Sequence, residues 1–270
     1  MKKKFKLGVI GAGFMATSII SGAISNKIVD GKDVLVSDVN QASLEKIAKF
    51  GVCTIMDNSE LIKNSEFVLF AIKPQNLTDL LMAVKDCDKD DLKFISIMAG
   101  VKKEKIKKVF ANSKVARCMP NTPCAIGFGA VGLDLSDFDD EKDKEFINKL
   151  FSTLATVVCV GEEKLNAVTG VSGSAPAYFY LFLKGIIEAG VQHGLSYEDA
   201  KLLATSTMVG AGKMVENNKD KTLDELINAV CSKGGTTIEA VKLYNNLGLT
   251  DITKQAIDAC VNRSLELENL

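Results

Sequence analysis

Short apolar runs punctuate the first 160 residues: FKLGVI at 5–10, DVLVS at 33–37, EFVLFAI at 66–72, LKFISIM at 92–98 and KVARCM at 114–119. Each is bounded by polar residues or by glycine and proline, so each reads as a buried strand. Between them the spacing predicts helices over 13–25, 41–49, 58–64, 75–84 and 102–110. Strands and helices alternating in this way predict a mostly parallel sheet with helices on both faces.

After GEE at 161–163 the strand pattern stops. Helices are expected over 164–192, 196–217, 222–231, 235–247 and 250–268. Ser196, Thr222 and Thr250 stand where N-caps belong, and Gly194 and Gly248 where helices end. The chain therefore divides into an α/β domain at 1–160 and an all-α domain at 161–270. The stretch AYFYLFLKGIIEAGV is apolar nearly all round. A helix of that kind wants burial on most sides, which a small bundle offers best by dimerising.

Composition narrows the function. Thirty-three basic and 34 acidic residues, mixed in sign along the sequence, give a net charge of -1. No block of charge points to nucleic acid or a membrane surface. The basic start MKKK runs into too short an apolar stretch for a signal peptide, and no run approaches the roughly 20 apolar residues of a membrane helix. Seven cysteines without a CxxC pair, and one histidine, argue for buried, reduced thiols in a cytoplasmic protein and against a zinc site.

Chemistry enters with GVIGAGFMA at 8–16. A strand is followed by Gly11, Ala12 and Gly13 and then by a helix carrying the small Ala16. That is the dinucleotide fingerprint: Gly11 makes the tight turn, Gly13 lets backbone approach a pyrophosphate, and the helix N-terminus offers N–H groups to the phosphates. The first domain is thus Rossmann-type and doubly wound. The second strand ends VLVSDVN, which puts Asp38 where a carboxylate bonds the ribose 2′-OH of NADH. Ser37 and Asn40 leave a phosphate, and so NADPH, open. The strand ends AIKPQ, SIMAGV and RCMPNTP bring further loops to the cofactor side.

The helical half breaks at CSKGGTT, 231–237. As a bare motif this is either a helix cap by Thr236 and Thr237 or an anion site made of glycine N–H groups and hydroxyls.

GAGFMA, AIKP, SIMAGV, MPNTPCAIGFG, AVTGVSGSAPAY and SKGGTTIEAV stand in the order and spacing of pyrroline-5-carboxylate reductases, and the resemblance runs from about residue 5 to 265. It implies reduction of (S)-1-pyrroline-5-carboxylate to L-proline with NADPH or NADH, the last step of proline biosynthesis. It also implies self-association through the C-terminal helices as a dimer, and as a decamer in larger assemblies. By the same resemblance Ile10, Gly11, Ala12, Gly13, Phe14 and Met15 bind the dinucleotide, with Ser37 or Asp38 at its adenosine ribose. Asn58, Ala71, Ile72, Lys73, Pro74, Ala99 and Gly100 make further cofactor contacts. Ser232, Gly234, Gly235, Thr236 and Thr237 form the substrate loop, its N–H groups receiving the ring carboxylate and Thr237 contacting the ring nitrogen as the catalytic hydroxyl. The resemblance also implies a substrate held between a cofactor domain and a helical domain, of the same or of a second subunit. Lys233 replaces a usual proline, and Ala175 a usual glycine.

An imine places weak demands on an acid, because its nitrogen binds already protonated and hydride addition discharges an iminium. His193 is then a helix-end charge, and Lys73 competes with Thr237 as acid or charge partner. The β-hydroxyacid dehydrogenases, which resemble one another in a lysine–asparagine pattern, are a poorer match: Asn166, Ser172 and Ser174 stand there instead. A nucleotide sensor would need no loop like SKGGTT. The Lys- and Glu-rich stretches 102–108 and 139–145 read as solvated helix faces.

Overall fold

The computed structural model describes residues 4–87 and 91–268; the basic residues 1–3 lie outside them. The chain forms two compact units, 1–174 with 260–270, and 175–259.

The first unit holds β1 (Phe5–Ile10), α1 (Phe14–Ser25), β2 (Val34–Ser37), α2 (Gln41–Ala48), β3 (Cys53–Ile55), α3 (Asn58–Asn64), β4 (Ser65–Phe70), α4 (Leu77–Ala83), β5 (Lys93–Ser96), α5 (Lys103–Lys107), β6 (Lys114–Pro120), β7 (Gly129–Asp134), α6 (Glu141–Ser152), β8 (Ala155–Cys159) and α7 (Leu165–Val168). The strands form one sheet in the order β3-β2-β1-β4-β5-β6-β7-β8. Among the described residues only the β6–β7 pairing is antiparallel. The chain order reverses between β1 and β4, and such a switch point opens a crevice at the carboxyl ends of the strands.

Two apolar layers pack on the sheet. Val9, Ile19, Phe67 and Ile147 lie in one, and Phe70, Phe94, Leu61 and Phe110 in the other. Phe70 stacks on Phe94 at 4.9 Å, and Phe94 meets Phe110 at 5.0 Å. Each fully buried phenylalanine is worth about 1.5–3 kcal/mol, which fixes β4 and β5 and therefore the loops that leave them.

The second unit contains α8 (Ala175–Gln192), α9 (Tyr197–Asn217), α10 (Leu223–Val230), α11 (Thr236–Asn246) and the start of α12 (Leu249–Glu268). Ser196 caps α9 by accepting from the Asp199 N–H, and Thr222 and Glu225 close a capping box on α10. Gly194 and Gly248 take left-handed backbone, φ +96° and +72°, as helix stops require. Thr250, expected as a cap, lies inside α12, which starts one residue earlier at Leu249, directly after Gly248.

The predicted helix 164–192 is interrupted. Thr169–Gly173 winds as a π-turn, with the Ser174 N–H donating to the Thr169 carbonyl at 2.9 Å, before α8 begins. Pro176 has no N–H to continue the ladder. Gly173 admits Met119 so closely that a Cβ there would stand 2.7 Å from its methyl carbon.

Burial differs from expectation in two places. Of the cysteines, all free, only Cys87, Cys118 and Cys124 are buried; Cys53 and Cys159 are exposed because they lie on the outer strands β3 and β8. The charged stretches are not merely solvated faces either. Lys103 is buried and pairs with Asp134 at 2.7 Å and Asp137 at 3.0 Å, and Asp143 is buried against Lys93 at 2.9 Å. Burial pulls the Lys103 ammonium down, but the hydrogen bonds from it to Asp134 and Asp137 outweigh that and hold its pKa above the ordinary lysine value.

For Asp137 burial acts to raise the carboxyl, yet the bonds from Lys107 and Lys103 prevail and hold it below the usual carboxylate range. A depressed folded value means stability that is present above the unfolded pKa, near about 4, and lost as pH falls through the folded one. Urea midpoints measured from pH 6 down to pH 3 are therefore expected to fall less steeply for Asp137→Asn than for wild type. Parallel curves would remove Asp137 from the acid limb.

Candidate functional site

The glycine turn sits at the switch point. Gly11 donates its N–H to the Ser37 carbonyl at 2.7 Å, and Ala71 donates to the Ile10 carbonyl at 2.9 Å, which ties the ends of β1, β2 and β4 together. Gly11 has φ +102°, and a Cβ on it would lie 2.6 Å from the Ala71 carbonyl oxygen. Only glycine fits there. Gly13 is the N-cap of α1, and nothing stands within 4 Å of where its Cβ would be. No side chain caps α1 and no acidic residue occupies its first turn. Its first N–H groups have no intrahelical acceptor, and the open space over Gly13 fits a pyrophosphate.

Around this turn the expected residues divide. Ile10, Gly11 and Ala12 are buried as the frame, while Gly13 and Phe14 are exposed and Met15 is partly so. Asp38 Oδ2 accepts from the Ala12 N–H at 2.7 Å and its Oδ1 from the Asn40 N–H at 2.8 Å. A carboxylate has about four lone-pair sites, so two remain for a ligand hydroxyl. Ser37 is fully buried and donates to Asn58 Oδ1 at 2.6 Å. Its hydroxyl hydrogen is thus committed to Asn58. It orients Asn58, whose Nδ2 stays available to donate. Asn40, also a candidate for phosphate, accepts from the Ala42 N–H as the N-cap of α2.

Beside Asn58 opens a cavity of about 450 Å³ lined by Met56, Asp57, Asn58, Ser59, Ala83 and Val84. No motif announced it, because its walls come from two helices and a loop distant in sequence. Ala71, Ile72 and Pro74 are partly accessible and Lys73 is exposed at the end of β4. At the end of β5, Ala99 is partly accessible, but Gly100, φ +66°, is buried under α12, with Leu267 Cβ 2.6 Å from its would-be Cβ.

In the second unit the CSKGGTT turn precedes α11. Gly234 has φ +76°, which demands glycine; a Cβ on Gly235 would meet the movable Ser232 Oγ at 2.6 Å and the Ser232 carbonyl oxygen at 3.1 Å, so that position is tight. The N–H of Gly235 donates to the Ser232 carbonyl at 3.0 Å and closes the turn. It is thus not one of the open donors. The N–H groups left without an intrahelical acceptor begin with Thr236 and Thr237 in the first turn of α11. No side chain caps α11, so the two threonine hydroxyls do not cap it as expected. Ser232, Gly234, Thr236 and Thr237 are exposed.

Comparison with known proteins places both regions. Residues 6–100 match the family described as NADP oxidoreductase, coenzyme F420-dependent, and residues 162–267 the family described as pyrroline-5-carboxylate reductase dimerisation. A pyrroline-5-carboxylate reductase of Staphylococcus aureus is 34% identical over 98% of this chain and 98% of its own. A solved pyrroline-5-carboxylate reductase from Coxiella burnetii superposes with a TM-score of 0.87 at 31% identity, covering 98% and 99% of the two chains. The Plasmodium falciparum pyrroline carboxylate reductase with NADP bound gives 0.87 at 25% identity, covering 99% and 100%.

Proposed function

The chain belongs to the pyrroline-5-carboxylate reductase family, and from that premise we propose how its own residues divide the reaction between the glycine turn of the sheet unit and the GGTT loop of the helical unit. It is an NAD(P)H-dependent oxidoreductase that reduces (S)-1-pyrroline-5-carboxylate to L-proline. Bound NAD(P)H supplies a hydride from C4 of its nicotinamide.

The α1 N-terminus and Gly13 receive the pyrophosphate, and Asp38 and Asn58 the adenosine end, with the cavity beside Asn58 taking the base. Ala71, Ile72, Lys73, Pro74 and Ala99 flank the nicotinamide. The N–H groups of Thr236 and Thr237 hold the ring carboxylate, and the Thr237 hydroxyl holds the ring nitrogen, where the electron pair released by hydride addition to the imine carbon comes to rest. The single observation that carries this division is the GGTT turn itself: a left-handed Gly234 beside a tightly placed Gly235, followed by uncapped N–H groups and uncommitted hydroxyls on a helix start.

The helical unit supports self-association. Phe179, Tyr180, Leu181 and Phe182 on α8 are all exposed in the single chain, against the expectation of a helix buried on most sides. Leu202, Leu203 and Val209 on α9 are exposed as well. Apolar area on this scale marks an interface, and we assign it to a dimer, with larger rings of dimers built on it. Among the described residues no helix is long and apolar enough to cross a membrane. Free cysteines suit a reducing compartment, which supports the cytoplasm.

The test is cofactor oxidation followed at 340 nm with pyrroline-5-carboxylate, NADH and NADPH taken separately. Turnover with either supports the assignment; none with either, in folded protein that binds them, contradicts it. Asp38 sets the ratio of the two. Removing its charge in Asp38→Ser is expected to shift the ratio of dissociation constants toward NADPH by roughly tenfold, the effect of one close like-charge contact at about 1.4 kcal/mol. Fluorescence titration checks this, and an unmoved ratio would place Asp38 away from the 2′ position.

A further inference from the structure

The end of α12 returns to the sheet unit and covers the loop 97–102 that leaves β5. Leu267 sits over Gly100, and the Ser264 carbonyl lies 3.3 Å from the same would-be Cβ. Ser264 Oγ is buried and donates to Asn166 Oδ1 at 2.7 Å, seating the helix on α7. Below them Arg117 of β6, 5% exposed, donates from Nη1 to Glu162 Oε1 at 3.0 Å and to Glu268 Oε1 at 3.3 Å. The Glu268 side chain is itself 4% exposed and pairs through Oε2 with Lys102 Nζ at 3.4 Å. Glu162 Oε1 also accepts the Lys103 N–H at 2.8 Å. The loop is thus held at Gly100 by the helix, at Lys102 by Glu268 and at Lys103 by Glu162, with Arg117 as the common partner of both carboxylates.

Burying an arginine between two carboxylates is a poor route to stability, because desolvation opposes the attraction; what such a cluster secures is one geometry. The geometry it secures here belongs to a left-handed glycine at the carboxyl end of a strand, where open α/β sheets hold their ligands. We propose that Arg117, Glu162 and Glu268 are positioning residues for hydride transfer: a clasp through which the last turn of α12 holds the 97–102 loop in the shape the nicotinamide end of the cofactor requires. The proposal rests on the assignment of the Ala99 loop to the cofactor.

Hydrogen exchange of the full-length protein, with and without NADPH, tests both parts alongside steady-state kinetics. In wild type NADPH is expected to slow exchange across 97–102. In Glu268→Ala that loop exchanges faster in the free protein, and kcat falls roughly tenfold with KM for the imine within about twofold, the pattern of a misplaced reaction partner rather than lost binding. Glu268→Gln, which keeps an acceptor for Arg117, is expected to recover most of kcat. Lys102→Ala, at a side chain 50% exposed, carries the test if Glu268→Ala does not fold, with faster loop exchange and a smaller loss of kcat. Wild-type loop exchange and kcat in these variants would overturn the clasp while leaving the cofactor assignment standing. Exchange across 97–102 that NADPH leaves unchanged in wild type would overturn both.

Discussion

Thr237→Ala is expected to lower kcat with pyrroline-5-carboxylate by roughly 10²-fold, the cost of removing the one hydroxyl that holds the reacting nitrogen in place. The hydroxyl belongs to the first turn of α11 and caps nothing, since no side-chain bond closes that helix end. Its removal therefore leaves the fold unstressed, and the melting temperature is expected to stay within the small range of a surface substitution. NADPH affinity is expected to be unchanged as well, because the cofactor is held by the other unit. Three readouts separate the roles: kcat collapses, Tm holds, and the Kd for NADPH holds. A variant with wild-type kcat would hand the ring nitrogen to another group, of which the exposed Lys73 is the first candidate.

The paired glycines of the cofactor turn should both lose cofactor when substituted but differ in stability. Gly11→Ala puts a Cβ 2.6 Å from the Ala71 carbonyl oxygen and 2.9 Å from its carbon, both backbone atoms of the β4 end, at a φ of +102°. Nothing there is the movable tip of a side chain, so the turn itself must shift, at a cost of about 1–3 kcal/mol for the strained backbone plus the clash. Lower Tm and a loss of NAD(P)H binding together are expected. Gly13→Ala meets nothing within 4 Å in the free protein. Its Tm is expected to match wild type, while its methyl intrudes where the pyrophosphate lies and weakens binding by at least about tenfold, or about 1.4 kcal/mol. Calorimetric titration and thermal melts of the two variants side by side decide it. If Gly13→Ala binds normally, the phosphates do not lie over that helix end.

Much of this was legible in the sequence where one residue type had one physical job. Buried runs such as FKLGVI and EFVLFAI became β1 and β4 because every apolar side chain there had a layer to enter. The turns at Gly11, Gly194, Gly234 and Gly248 were readable because each takes positive φ. What escaped were elements whose signal was weak or borrowed. The three-residue β3 at one end of the sheet gives no run to count. The sequence of β7, GAVGLD, looks like a loop until Gly132 is seen making way for Val168, whose Cγ1 would be 2.7 Å from a Cβ there.

At the site, polar residues that the sequence offers to a ligand are first engaged by their own neighbours. Ser37 donates to Asn58, Asn40 caps α2, and the Gly235 N–H closes its own turn. Asp38 serves the Ala12 N–H before any ribose. The same local competition for hydrogen bonds is invisible in a linear pattern. Charge was misread for a related reason: Lys103 and Asp143 look solvated in sequence because their partners Asp134 and Lys93 are distant along the chain.

The most direct measurement of the central claim is isotope transfer. Purified protein is supplied with pyrroline-5-carboxylate and NADPH carrying deuterium in one or the other of the two C4 positions, and the proline formed is analysed by mass spectrometry and NMR. One of the two labelled cofactors is expected to deliver a single deuterium to the ring carbon that was the imine carbon, and Thr237→Ala to reduce the amount of labelled product without changing its position. Proline that forms without label from either cofactor, or no proline at all from protein that binds NADPH, would contradict the account.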